Sequence, residues 1–275
     1  DKFRKMASEA PPRLRRAEAI LQSRTGRFAI VLERVTDSHN QSAVLRSVEA
    51  MGIQHVFIVD PPVPRNETCK PLAFAKKITK DCFKWLTVRS FSTTTECLAA
   101  LKEGDYQIWA TDLSNESINL DDHKEDLKPL PKKVAIVIGR ESDGVSSELL
   151  EAADKRIFLP MFGFTESFNL SVACALVVQR LFDLCPEARG DLLEEEKTSL
   201  RKYWYEELSR NPSARAKQQE FLLNPEKVKP LKDLRRPNTE RESWAPRKIK
   251  KREAEVLKIS NEEETKKVKK GETGN

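Results

Sequence analysis

The sequence predicts an α/β fold, a parallel sheet with helices on both faces. Three observations predict it. Runs such as Phe28–Leu32 and Val134–Ile138 are short and continuously apolar, the form of strands covered on both sides. Segments of helical periodicity alternate with these runs at short, regular intervals. Glycine and proline mark the joints, at Gly52, Gly104, Gly139 and Pro61-Pro62.

In chain order, Pro11-Pro12 precede a helix in which Leu14, Ala17 and Leu21 share a face and Arg13, Arg15 and Arg16 fall largely off it. The strand Phe28–Leu32 follows. Asp37 or Ser38 caps a helix carrying Val44, Val48 and Met51, which stops at Gly52. His55–Val59 is the next strand. Residues 66–80 read as a loop and then a helix through Leu72–Ile78. Phe83–Phe91 reads as a strand, with Trp85, Thr87 and Arg89 alternating against Leu86 and Val88. Thr93-Thr94-Thr95 caps a helix through Cys97 and Leu101, closed by Gly104. Gln107–Thr111 is a strand, 112–131 a polar excursion, and Val134–Ile138 the clearest buried strand. A helix from Ser146, the strand Ile157–Leu159 and an apolar helix over 169–184 complete the pattern.

Charge is unevenly placed along the 275 residues. Residues 1–27 hold eight Lys/Arg against three Asp/Glu, and residues 186–275 hold 23 against 18. Basic ends flank a mildly acidic middle, so the ends are expected to recruit a polyanion and the middle to carry the chemistry. Four segments are expected: a basic helical 1–27, a catalytic domain over 28–185, a helical extension over 186–224, and a charged, disordered tail over 225–275. In the extension Leu200, Tyr203, Trp204 and Leu208 suit one amphipathic helix; the tail is too polar to offset chain entropy. Its Arg247–Arg252 cluster suits non-specific RNA contact, a nuclear address or plain solvation. Five cysteines form no CxxC pair and read as small core residues of a reducing compartment. Three scattered histidines give no metal-ligand spacing, so no metal is expected. No run suits a membrane span. The expected location is soluble and intracellular, in the cytoplasm or in an organelle if a presequence has been removed.

Three islands concentrate small polar residues with Gly or Pro: Ser38-His39-Asn40-Gln41-Ser42 through Arg46-Ser47; Ile138-Gly139-Arg140-Glu141-Ser142-Asp143-Gly144; and Leu159-Pro160-Met161-Phe162-Gly163 running into Ser167-Phe168-Asn169-Leu170-Ser171. Each begins at or follows the carboxyl end of an expected strand, where ligands bind in parallel sheets. Singly, each has a plain reading. The second makes a tight strand-to-helix turn. In the third, Ser167 or Asn169 caps a helix. Arg46, among Ala43, Val44, Leu45 and Val48, suits either a surface ion pair or a phosphate.

Together and in this order, the islands resemble the three motifs of the SPOUT superfamily, in its SpoU branch of RNA ribose 2′-O-methyltransferases. They are most like the TrmH-type tRNA (guanosine-2′-O-)-methyltransferases, and the match covers residues 12–185. The resemblance implies a deep trefoil knot in the C-terminal part of the sheet and a homodimer. It implies S-adenosylmethionine as cofactor, on Thr111, Gly139, Leu159 and Phe168. It places Asn40, Arg46, Glu141, Ser167 and Asn169 in the active site, with Arg46 on an RNA phosphate, either accepting the 2′-hydroxyl proton or stabilising the alkoxide. Arg13, Arg15, Arg16, Arg24 and Arg27 are the expected RNA contacts. Two departures from the family pattern stand in the motifs: Asp37-Ser38 for the usual Lys-Pro, and Phe168 for Leu. The expected substrate is a D-loop guanosine of tRNA. The alternatives are ribosomal RNA, or a catalytically silent RNA-binding protein on the same fold.

Overall fold

The computed structural model describes residues 10–60, 82–121 and 127–234. The expected helix through Leu72–Ile78 lies outside the described residues, as does most of the tail. Asp1–Lys232 form one compact unit; of a second, Asp233–Asn275, only residues 233–234 are described.

The chain opens with α1 (Pro12–Leu21), β1 (Thr25–Glu33), α2 (Ser38–Met51) and β2 (Ile53–Val59). A 3-10 turn (Cys82–Trp85) leads into β3 (Thr87–Phe91), α3 (Thr94–Glu103) and β4 (Gln107–Thr111). Then come β5 (Ile118–Asn119), β6 (Val134–Ile138), α4 (Ser147–Glu151), β7 (Lys155–Phe158) and α5 (Leu170–Leu184). Helices α6 (Glu194–Leu208) and α7 (Pro212–Leu223) follow.

Among the described residues, seven strands form one sheet in the order β3-β2-β1-β6-β4-β7-β5, and each pairing between them is parallel. The strand period of two sorts side chains between two cores. Phe28, Ile30, Leu32, Ile136 and Ile138 point to one face, under α2 (Val44, Val48) and α5 (Cys174, Val177, Leu181). Ala29, Val31, Ala135 and Val137 point to the other, under α3 (Cys97, Leu101) and α4 (Leu149). No helix among the described residues is long and apolar enough to cross a membrane.

Several elements differ from expectation. Strand β1 starts at Thr25, because Thr25 Oγ1 and the Gly26 N–H donate to Asp191 and tie the polar start into the sheet. The expected strand from Phe83 begins instead as the 3-10 turn, which sets Trp85 edge-on against Trp204 of α6 at 5.6 Å. The short β5 inside the polar excursion was not foreseen; two residues are too few to carry a pattern. In α6 the buried tyrosine is Tyr205, not Tyr203, since it turns inward to donate to Glu18. Order also continues past Pro225: Val228 is buried, and the Leu231 N–H donates to the Arg15 carbonyl. A third core therefore joins both ends of this unit, from Leu14, Ala17 and Leu21 of α1 to Trp204, Tyr205, Phe221 and Val228.

Candidate active site

Because all strands run parallel, the loops after β1, β4, β6 and β7 leave the same edge of the sheet. The three islands occupy those loops. Asp37 caps α2 by accepting from the His39 N–H at 2.7 Å, which sets Asn40 on the first turn. Asn169 caps α5 in the same way, accepting from the Ser171 N–H at 3.0 Å and its hydroxyl at 2.7 Å.

The two asparagines and a carboxylate then link. Asn169 Nδ2 donates to Asn40 Oδ1 at 3.1 Å, and Asn40 Nδ2 donates to Glu141 Oε1 at 2.6 Å. An ionised carboxylate only accepts, so the Asn40 amide has to turn its nitrogen to Glu141 and its oxygen to Asn169. Residues separated by 101 and 129 positions are thus joined in one chain of fixed polarity.

The turn that carries Glu141 is closed by its own backbone. Arg140 and Gly144 exchange N–H···O bonds at 2.9 and 3.0 Å, and Gly144 sits at φ 70°. A Cβ on Gly139 would lie 2.1 Å from the Gly144 carbonyl carbon, so only glycine allows this closure. Asp143 pairs with Arg140 beside it. Below the turn, Glu33 ends β1 with its carboxylate buried. It accepts from the Ser146 N–H at 2.8 Å, the Ser146 hydroxyl at 2.5 Å and the Thr94 hydroxyl at 3.3 Å. Sequence reasoning missed Glu33. Its signal was a carboxylate directly after a fully apolar strand.

The loops enclose a cavity of about 380 Å³. Thr111, Gly139, Leu159, Ser167, Phe168 and Glu141 all line it. Its bed is apolar, from Ile138, Leu170, Ala173 and Val177, and its rim carries Asp112, Glu141 and Asp143 against the single Arg140. Asp112, Asp143 and Leu170 also line it and were not foreseen as lining residues. An apolar slot with a carboxylate rim accepts a flat, cationic amphiphile. The Thr111 hydroxyl donates to the Val137 carbonyl at 3.0 Å, bracing β4 against β6 at the cavity wall.

The arginines separate into three groups. Arg46 is exposed on α2 but lines a second cavity with Arg13 and Arg16, not the cavity at the Asn40–Glu141 chain. Six residues along a helix turn a side chain about 120° away, which is why Asn40 and Arg46 face different ways. Two expected RNA contacts are corrected. Arg24 is wholly buried, donating to the Ile53 carbonyl at 2.7 Å and to Glu49 at 2.6 Å, and lies 5.4 Å over the Trp204 ring. Burial lowers its pKa despite Glu49. Arg27 spends its guanidinium on the carbonyls of Pro131 and Leu130, both at 3.1 Å. Both follow α1 in sequence, where the chain turns inward to start β1. Arg15 gives its Nε to the Lys229 carbonyl at 3.0 Å, while Arg13 and Arg16 stay exposed.

The glycine turn, the polar chain and the cavity share the carboxyl edge of one parallel sheet, the place where α/β proteins bind their ligands. The family model described as the SpoU rRNA Methylase family matches residues 27–179, and the chain belongs to that family of methylases. It is 33% identical over 198 residues to the tRNA (guanosine(18)-2′-O)-methyltransferase of Borreliella burgdorferi, covering 71% of this chain and 85% of that protein. To the protein of the same description from Aquifex aeolicus it is 30% identical over 201 residues, covering 71% and 90%. A solved structure, described as the A. aeolicus TrmH/SpoU tRNA modifying enzyme, superposes with a TM-score of 0.58 at 30% identity. It covers 71% of this chain and 96% of that one.

Proposed function

We propose that this chain is an S-adenosylmethionine-dependent RNA ribose 2′-O-methyltransferase acting on guanosine 18 of tRNA. One observation carries the reading: Asn40, Glu141 and Asn169, from three distant motifs, form a hydrogen-bonded chain beside a cavity floored at Gly139. The named relatives support tRNA as the substrate, since the match extends over most of their length.

The cavity fits the cofactor. Its apolar bed suits an adenine ring, and Asp112, Glu141 and Asp143 suit a sulfonium and an ammonium group. Bound there, S-adenosylmethionine supplies an electrophilic methyl group. Thr111, Gly139, Leu159 and Phe168 hold it, the glycine by letting backbone approach closely. Asn40 orients the ribose, Ser167 and Asn169 position it from the head of α5, and Glu141 fixes the Asn40 amide. Arg46 stabilises the developing 2′-alkoxide while contacting an RNA phosphate, and the hydroxyl proton leaves to that phosphate or to water. Holding the hydroxyl in line with the methyl group supplies much of the acceleration. Arg13, Arg15 and Arg16 recruit RNA through phosphate contacts, which weaken with salt.

The finer architecture belongs to the same reading. A trefoil knot fits a sheet in which β6 enters between β1 and β4, and β7 between β4 and β5. A homodimer fits the apolar residues left exposed around the cavity and on α5: Leu113, Phe162, Phe164, Val172 and Leu176. It also gives Arg46 a donor cavity to serve, that of the second copy.

Methyl transfer from labelled S-adenosylmethionine to unmodified tRNA tests the function. Label should appear on the 2′-oxygen of guanosine 18, and Arg46→Ala should abolish transfer while leaving cofactor affinity intact. No label in tRNA would remove the substrate assignment, and full turnover by Arg46→Ala would remove the arginine.

A further inference from the structure

The second cavity, also about 380 Å³, lies between α1, α2, the 3-10 turn and α6. That volume is within the roughly 300–1,000 Å³ of small-ligand sites. Its lining is unusual in charge. Arg13, Arg16, Arg24 and Arg46 face a single carboxylate, Glu49, which is already held by Arg24 at 2.6 Å. Among the described residues Arg13 and Arg46 are exposed and have no hydrogen-bond or ion-pair partner. Arg13 and Arg46 therefore bring two guanidinium groups without a partner among the described residues to one concavity, an electrostatic setting that suits an anion.

Aromatic surface completes the site. Trp85 is half-buried and stands edge-on, at 85°, to the buried Trp204. Trp85 also lines the cavity, so an indole, the kind of ring on which a base stacks, borders the arginines. Arginines beside stacking rings are the combination that grips single-stranded nucleic acid, whereas a paired base has both faces already covered.

Resting on the RNA-methylase reading, we propose that this cavity seats one unpaired nucleotide of the RNA, outside the methyl-donor cavity. Its phosphate lies between Arg13 and Arg46 and its base on Trp85. The four elements that frame the seat are far apart in the sequence, from α1 at residues 12–21 to α6 at 194–208. The α1–α6 pairing thus builds a recognition site as well as a core.

The test compares full-length wild type with Trp85→Ala, Trp85→Phe and Arg13→Gln. It measures tRNA affinity by fluorescence anisotropy at several salt concentrations, S-adenosylmethionine affinity by calorimetry, and thermal unfolding. Trp85→Ala should weaken tRNA binding about ten-fold with cofactor affinity unchanged, and Trp85→Phe should restore most of it. Arg13→Gln should lower the salt slope by about one. Wild-type tRNA affinity in Trp85→Ala overturns the proposal. Should that variant unfold, wild type crosslinked to 4-thiouridine-substituted tRNA decides: adducts within residues 82–91 support the seat, and adducts confined elsewhere overturn it. Guanosine monophosphate is the second probe. If it quenches tryptophan fluorescence while no substitution alters tRNA affinity, the seat belongs to a free nucleotide and the RNA assignment falls. These readouts need no turnover, so a wild type that binds tRNA without methylating it would sink the enzymatic reading alone.

Discussion

At Asn40 the choice of side chain is set by its two neighbours. Glu141 needs a donor and Asn169 Nδ2 needs an acceptor, and a primary amide offers both at once. Aspartate has nearly the same shape but would face Glu141 with a second carboxylate and no donor. Asn40→Asp should therefore lower methyl transfer as severely as Asn40→Ala, by about a hundred-fold, on the scale of one lost positioning or electrostatic contact. Single-turnover kinetics at saturating cofactor would show it; near-normal turnover in the aspartate variant would mean the amide chain is incidental. Arg46 shows the limit of spacing read alone. Its neighbours in sequence left a surface ion pair and a phosphate contact both open, and the helix turns it outward to the second cavity.

At the scale of elements, α1 is held by one polar cluster inside an apolar seam. Glu18 accepts from Arg201 Nε at 2.7 Å and from the Tyr205 hydroxyl at 2.7 Å, with side chains of Glu18 and Arg201 only 7% and 21% exposed. Burial and the Glu18 carboxylate both push the Tyr205 pKa up, so the phenol stays a donor throughout the physiological range. Glu18→Ala would strand the Arg201 charge. Breaking a fully buried pair costs roughly 3–5 kcal/mol, and the partial exposure of Arg201 puts this one at the lower end. Chemical denaturation should report that loss, with a weaker tRNA affinity as α1 loosens. Unchanged stability would show that the apolar contacts of Leu14, Leu21 and Trp204 suffice.

At the scale of the whole molecule, the separation of Arg46 from the donor cavity has a consequence for assembly. In the proposed dimer, each reaction centre draws Asn169 and Arg46 from different copies. Co-refolding two inactive variants, Arg46→Ala and Asn169→Ala, should then restore part of the activity, because some mixed dimers hold one intact centre. Activity no higher than that of either variant alone would place both residues in the same copy's site. The exposed apolar strip of Val172 and Leu176 on α5 is the surface such an assembly would cover.

Local pattern and tertiary structure divided the work along physical lines. Strands β1, β4 and β6 and the stop at Gly52 were legible, and each cap was narrowed to two residues (Asp37 or Ser38, Ser167 or Asn169), because each follows from neighbours within one turn or one pleat. The motif residues were legible because their order matched a family pattern. Trp85, Tyr205, Arg24, Arg27 and Glu33 were not, since their roles come from partners tens or hundreds of residues away. The sequence by itself determined which segments form strands and helices and which loops carry polar groups, through periodicity and capping. Only the tertiary structure decided that those loops leave one edge and that Arg46 faces another cavity, because strand order and helix rotation are set by burial of the whole sheet.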